Sequence, residues 1–530
     1  MRLELFKYMF DVIIKSGKII DGTNKKMYAG DIGIEKGKIK KIGSLSNDSA
    51  DVVVDADEKF VVPGFIDIHN HSDGYWTLFN YRTCDSMVRQ GVTTIIGGGS
   101  GTSLAPLANP ENIYAIKRWT NIEEITVNWL TVEGLLNELE KLKISVNFGT
   151  LVGHITLKRG FVKDTVRDFT EEEARTADGM LDRAMKEGAF GLSTGLSYSH
   201  AKYAKAEEIV RLANVVSRYK GLYTNALRDE GSGLIESIKE TIRIGKESNV
   251  SIEITQFKAK GKNNWKLFDE AVDLISKAHE ERLKINFDLY PYSTTGTVLY
   301  TYLPDWATKG GRAKLLDRLK NPNLRPKIIS EMREDEHDYE NLVIAMSSNP
   351  SYVGKKVVRI GEEEKLSSEE AIVNTLIASD GKAICFDASL SENNVKNGLA
   401  HPLSMVSSDG SGYSDVYART GNLVHPRCFG TFPRFLGKYV RGEKLMSWEE
   451  AIYKISGMQA RKLGLKDRGF VQEGLAADLV VFDPEEIIDR ATFENPYRYP
   501  EGIDYVFVNG EAVVSKGNHT GKMPGKMLRY

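Results

Sequence analysis

The sequence predicts an α/β fold: a (β/α)₈ barrel with a small β-sandwich domain built from both ends of the chain and an insertion subdomain at the barrel mouth. Three observations predict it. Eight strand candidates alternate with helical stretches through the middle of the chain, the two ends are rich in short strands, and one long interruption separates the last two candidates.

The ends come first. FDVIIKSGKII, DIGIEKGKIKKIG and DVVVDADEKFVV are β-branched runs cut by Gly, Asn and Asp turns. Near the other end stand ADLVVFD and YVFVNGEAVVSKG, whose Asn-Gly between apolar runs signals a hairpin. The expected β-sandwich spans residues 1–62 and 466–530, leaving 63–465 for the barrel.

The barrel strands are expected at VVPGFIDIH (61–69), GVTTIIGG (91–98), SVNFGTLVGH (145–154), AFGLSTG (189–195), LYTNAL (222–227), SIEITQF (251–257), KINFDLY (284–290) and PLSMVSSDG (402–410). TEEEARTADGMLDRAMKEG (170–188) opens on a Thr cap and closes on Gly. AEEIVRLANVVSRYKG (206–221) and LIESIKETIRIGKESN (234–249) place apolar residues at helical spacing. An open, doubly wound parallel sheet gives the same pattern. Residues 297–400 are too long for one βα connection and are read as a lid or insertion over the mouth, where substrates of such barrels sit.

Lys+Arg number 71 and Asp+Glu 73, a net charge of −2, so no electrostatic case exists for nucleic acid or an anionic membrane. Three cysteines without CxxC spacing point to a reducing compartment rather than a disulfide framework. Glu4, Lys7 and Asp11 interrupt any apolar leader, and no run is long enough to span a bilayer. A cytoplasmic protein is expected; homo-oligomerisation stays open.

Asp67-Ile68-His69-Asn70-His71 carries the sharpest chemistry. Residues two apart on a strand point the same way, so His69 and His71 project together beyond its C-terminal end and supply two nitrogen ligands. Ser407-Ser408-Asp409-Gly410 ends the last strand candidate. Ser-Asp-Gly alone is turn chemistry. In a closed barrel the last strand adjoins the first, which makes Asp409 a third ligand or a base for metal-activated water.

PGFIDIHNH, QGVTT, SLAP, LVGH, GAFGLSTGLSY, RDEG, DLYPY, SSDG, HPRCFGTFPRFLG and GLAADLVVFDP occur in this order. Together they resemble the D-aminoacylase (N-acyl-D-amino-acid deacylase) family of the amidohydrolase superfamily, over nearly the whole chain. GxSTGLxY and HPRxxGTFPR are far more specific to it than HxH. The resemblance implies hydrolysis of N-acyl-D-amino acids by a metal-bearing barrel, with His69, His71 and Asp409 as metal ligands. It also implies that Lys258, Tyr290 and Arg427 hold the substrate carboxylate, a task suited to an ammonium, a phenol and a guanidinium fork.

Three positions depart from the family pattern. Ser100 stands where the family has a Cys, and Ala226 and Gln256 stand where it has His. Ala ligates nothing, and the oxygen donors of Ser and Gln are harder and weaker than thiolate and imidazole. The expected cofactor is therefore one divalent ion, zinc first, on His69, His71 and Asp409. An amidohydrolase acting on a cyclic or other carboxylate-bearing amide, and a non-catalytic binder of small ligands, remain as alternatives. His154 fits a ligand or a hydrogen-bonded core residue. His200 replaces a lost ligand only if its loop folds inward.

Overall fold

The computed structural model describes residues 9–117, 122, 125–335 and 337–530. Eight short parallel strands surround a common axis: Phe65–Asp67, Val92–Gly97, Asn147–Thr150 continued by Val152–Gly153, Gly191–Gly195, Leu222–Ala226, Ser251–Ile254, Ile285–Leu289 and Ser404–Val406. They match the eight expected strands in order. The amide of Phe190 donates to Thr150 O at 2.9 Å and joins the third strand to the fourth. The ring closes at the residues of greatest chemical interest. The amide of Asp409 donates to His69 O at 3.0 Å, and that of His71 to Gly410 O at 2.7 Å.

Helices cover the outside of the barrel. Glu171–Lys186 begins with a capping box in which the Thr170 hydroxyl accepts from Glu173 N and the Glu173 carboxylate accepts from Thr170 N. Its acidic first turn and basic last turn suit the helix dipole. Ala206–Arg218 and Leu234–Ser248 bury one apolar face each, and the second ends on Asn249 in the left-handed conformation.

The strand period also sets what faces the axis. Tyr223 bonds Thr194 Oγ1 at 2.9 Å, and Asn225 donates to Thr241 Oγ1 of helix Leu234–Ser248 at 2.7 Å. Both point outward, so Thr224 and Ala226 point inward. Glu253 is fully buried, with Lys462 Nζ 3.9 Å from its Oε2. Burial raises the Glu253 carboxyl well above its ordinary range, against the pull of Lys462, and pushes the Lys462 ammonium down to about 8.

The apolar run VVPGFIDIH serves two sheets. Phe60–Pro63 pairs antiparallel with Leu479–Phe482, and Phe65–Asp67 starts the barrel. Gly64 marks the switch. A Cβ there would lie 2.2 Å from Thr93 Oγ1, so only glycine lets the two strands approach.

The strands of both ends form one nine-stranded sheet that runs from Asn518–His519 to Lys38–Gly43. It folds back on itself: Ala477 N donates to Gly37 O at 2.9 Å, and Ile39 N to Leu475 O at 2.9 Å. Ile14, Ile32, Ile34, Leu479, Val481 and Phe507 fill the space between its halves.

Between the seventh and eighth barrel strands, Thr295–Val298, Ile384–Asp387 and Leu342–Met346 form a separate antiparallel sheet, beginning two residues ahead of the expected 297–400. Leu299, Leu319, Ile328, Ile344 and Leu376 give it and its helices their own core. Helix Glu392–Ala400 instead packs on the seventh and eighth barrel strands. Among the described residues no helix is long and apolar enough to cross a membrane.

Candidate active site

His69, His71 and Asp409 meet at the C-terminal end of the barrel. One ligand atom from each lies within 4.8 Å of the others, and all three residues are buried. His71 Nε2 is 2.9 Å from Asp409 Oδ1, and His69 Nε2 is 3.7 Å from the same oxygen. Two imidazoles and one carboxylate oxygen form a donor set suited to zinc and similar divalent ions, with positions left for water or substrate.

Asp409 reconciles two expectations. Its backbone is left-handed at φ 46°, as Ser-Asp-Gly turn chemistry allows, and its carboxylate faces both imidazoles. Burial alone would raise its pKa. The Arg427 charge, the His71 bond and the charge of His69 outweigh burial and hold the carboxyl far below its ordinary range. His69 shows the same balance with the opposite direction. Burial works against the charged ring, while Asp288 and Asp409 prevail and raise its pKa.

Both oxygens of Asp409 are engaged. Arg427 Nη1 lies 2.9 Å from Oδ2, the oxygen that a reading of the sequence leaves free for proton transfer. A buried guanidinium 2.9 Å from a buried carboxylate forms a close ion pair. The Nε of Arg427 finds no hydrogen-bond acceptor among the described residues.

A cavity of about 670 Å³ opens above the cluster. His71, Ser100, Gln256, Asp409 and Arg427 line its floor, and Val298, Tyr300 and Ile384 of the insertion line its far wall. Of the three expected carboxylate-binding residues, only Arg427 lines this cavity. Tyr290 lies beneath Arg427, with the guanidinium carbon 4.8 Å from its ring centre. Lys258 Nζ donates to Glu230 Oε1 at 2.5 Å and to Gln256 O at 2.9 Å.

Ser100 Oγ lies 3.1 Å from His69 Nε2. Gln256 sits beside the cluster, and Ala226 ends the fifth strand, buried and facing the axis. Ser100 and Gln256 both adopt left-handed backbone, at φ 50° and 49°. His200 lines the same cavity and lies 3.1 Å from Asp164. His154 is buried and 2.7 Å from Glu208, the hydrogen-bonded core alternative.

Asp288 was not singled out from the sequence. It is fully buried at the end of the seventh strand, with Oδ1 3.6 Å from His69 Nδ1. Its signal was an acid in the strand run KINFDLY, at the head of DLYPY.

The amidohydrolase family model matches residues 52–340 and 376–514. The D-aminoacylase of Alcaligenes xylosoxydans xylosoxydans is 33% identical over 519 residues, covering 98% of this chain and 97% of its own. The crystal structure of N-acyl-D-glutamate deacylase from Bordetella bronchiseptica, complexed with zinc and a phosphonate mimic of the tetrahedral intermediate, superposes with a TM-score of 0.84. It is 29% identical and covers 98% of this chain and 100% of its own. A D-aminoacylase structure described by one-metal activation and second-metal attenuation of a binuclear centre gives a TM-score of 0.82. It is 32% identical, with 98% and 100% covered. The ordered motifs, the closed barrel and these matches agree: the chain belongs to the amidohydrolase family, in its D-aminoacylase branch.

Proposed function

We propose that this protein is a metal-dependent hydrolase that cleaves the amide bond of N-acyl-D-amino acids, giving a carboxylate and a D-amino acid. The observation that carries the reading is the convergence of His69, His71 and Asp409 within 4.8 Å at the base of a cavity. One divalent ion, zinc first, would be held by these three residues. When bound, such an ion polarises a carbonyl and makes water acidic enough to ionise near neutral pH.

The chain's own residues supply the remainder. The cavity, about 670 Å³, is large enough for an N-acyl amino acid. Arg427 binds the substrate carboxylate through its fork, and its unpartnered Nε supports this role. Turning to the substrate releases Oδ2 of Asp409. That oxygen then accepts the proton of the attacking water and passes it to the departing amine nitrogen. Tyr290 supports the guanidinium from below, and Lys258, paired with Glu230, braces the backbone at Gln256. Fixing the carboxylate at one side and the amide at the other selects one hand at the α-carbon.

The test uses purified protein stripped with a chelator and reloaded with zinc or cobalt, assayed on N-acetyl-D- and N-acetyl-L-amino acids. Turnover of the D series that is lost on stripping, regained with metal and abolished in His69→Ala supports the reading. Metal-independent turnover, or none with any N-acyl-D-amino acid, refutes it.

A further inference from the structure

Asp288 is the penultimate residue of the seventh barrel strand, Ile285–Leu289, and belongs to no ligand set discussed above, yet three elements converge on its carboxylate. The Ser407 hydroxyl donates to Oδ1 at 2.5 Å, and the Gln256 amide donates to the same oxygen at 3.0 Å. The third element is His69, whose Nδ1 stands 3.6 Å from that oxygen. Nδ1 of His69 and Oδ2 of Asp288 are both buried, and neither has a hydrogen-bond partner among the described residues. In a packed interior such atoms are uncommon, and here they belong to two side chains that face each other.

The other ring nitrogen of His69 is already placed. Nε2 lies 3.1 Å from Ser100 Oγ and 3.7 Å from Asp409 Oδ1, on the side of the ligand cluster. A nitrogen that gives its lone pair to a cation carries no proton, so the neutral ring must carry its proton on Nδ1. Gly99 backs the ring from the cluster side, since a Cβ there would lie 2.8 Å from His69 Cδ2. The ring is held between this glycine and the carboxylate.

We propose that Asp288 is a positioning residue. It holds the Nδ1 proton of His69 and thereby keeps Nε2 bare and aimed at the cluster. Asp288 acts through His69 and touches neither substrate nor ion. Ser407 and the Gln256 amide fix the carboxylate so that it meets the ring in one orientation. The histidine–carboxylate pairing is the usual means by which a protein sets tautomer and ring direction in a metal ligand. The inference rests on the metal-site reading above and is independent of substrate identity.

The experiment measures zinc affinity of the full-length chain by competition with a chromogenic chelator. Asp288→Asn is expected to weaken zinc binding by about 10- to 100-fold, and Ser407→Ala by less. Nitrogen-15 spectra of metal-free protein with labelled histidines give a second readout. His69 should be the Nδ1–H tautomer in the parent and a mixture in Asp288→Asn. Zinc affinity and tautomer both unchanged in the Asn variant would overturn the proposal. Should that variant fail to fold, Ser407→Ala decides alone: weaker zinc binding supports the role of Asp288, and parental binding overturns it. Loss of zinc affinity in a chain that hydrolyses no N-acyl-D-amino acid would retire the substrate assignment and leave Asp288 in its role.

Discussion

Arg427 Nη1 lies 2.9 Å from Oδ2 of Asp409, the one carboxylate oxygen that His71 does not use. The pair links the residue expected to bind substrate with the residue expected to move the proton. Without Arg427 the carboxylate of Asp409 would lose its strongest stabilising neighbour and the cavity floor a buried guanidinium fork. Arg427→Met is expected to lower kcat/KM by about 10- to 100-fold, the range for a lost hydrogen bond between charged groups. Arg427→Lys should recover only part of that loss, because an ammonium lacks the fork. Steady-state kinetics at equal metal loading check both, and a Lys variant as active as the parent would contradict the two-partner role.

Lys258 presents a weaker case. It is tied to Glu230 and does not line the large cavity. Lys258→Met should raise KM by less than Arg427→Met does, while leaving kcat nearly unchanged. It should lower Tm more, because Glu230 is left beside an apolar side chain. The two variants compared by kinetics and by thermal melting settle the order.

Gly99 bears directly on His69. A methyl group there would stand 2.8 Å from Cδ2 and 3.1 Å from Nε2, so the imidazole must move. Gly99→Ala is expected to weaken metal binding about tenfold, in line with the roughly 1–3 kcal/mol cost of overpacking. Chelator competition measures the loss. Parental affinity would show that the ring has room to shift without harm.

Glu253 gives a pH-dependent prediction. Lys462 and Asp288 are the charged groups facing it, and burial dominates by raising its pKa. The folded state therefore binds this proton more tightly than the unfolded chain. Stability from this group is fully present below about pH 4.3 and is lost as pH rises, by about 1.4 kcal/mol per unit until the folded pKa is reached. Glu253→Gln removes the penalty. Its Tm should equal that of the parent near pH 5 and exceed it at pH 8. Melting curves at the two values check the sign.

Much of this architecture was legible because it depends on local pattern. The alternation of strand-like runs with helical stretches marked the eight barrel strands, and the Thr cap marked the helix that begins at Glu171. His69 and His71 were readable because strand geometry alone aligns residues two apart. Asp409 required one further assumption, that the ring closes, and the amide of Asp409 on His69 O shows where it does. Asp288 was not legible, since its significance lies in facing His69 from another strand. Nor was the pairing of Arg427 with Asp409, because a motif gives the residue and not its neighbour. The division of VVPGFIDIH between two sheets escaped notice for a similar reason. An unbroken apolar run carries no mark of which partners its two halves will find, apart from Gly64.

The pairing of Phe60–Pro63 with Leu479–Phe482 also has a consequence for biosynthesis. One strand leaves the ribosome early, and its mate appears only after the entire barrel sequence has been made. The nascent chain must therefore carry an open apolar edge through most of translation. Completion of the sheet at Phe60–Pro63, just ahead of the first barrel strand, waits until Leu479–Phe482 has been made.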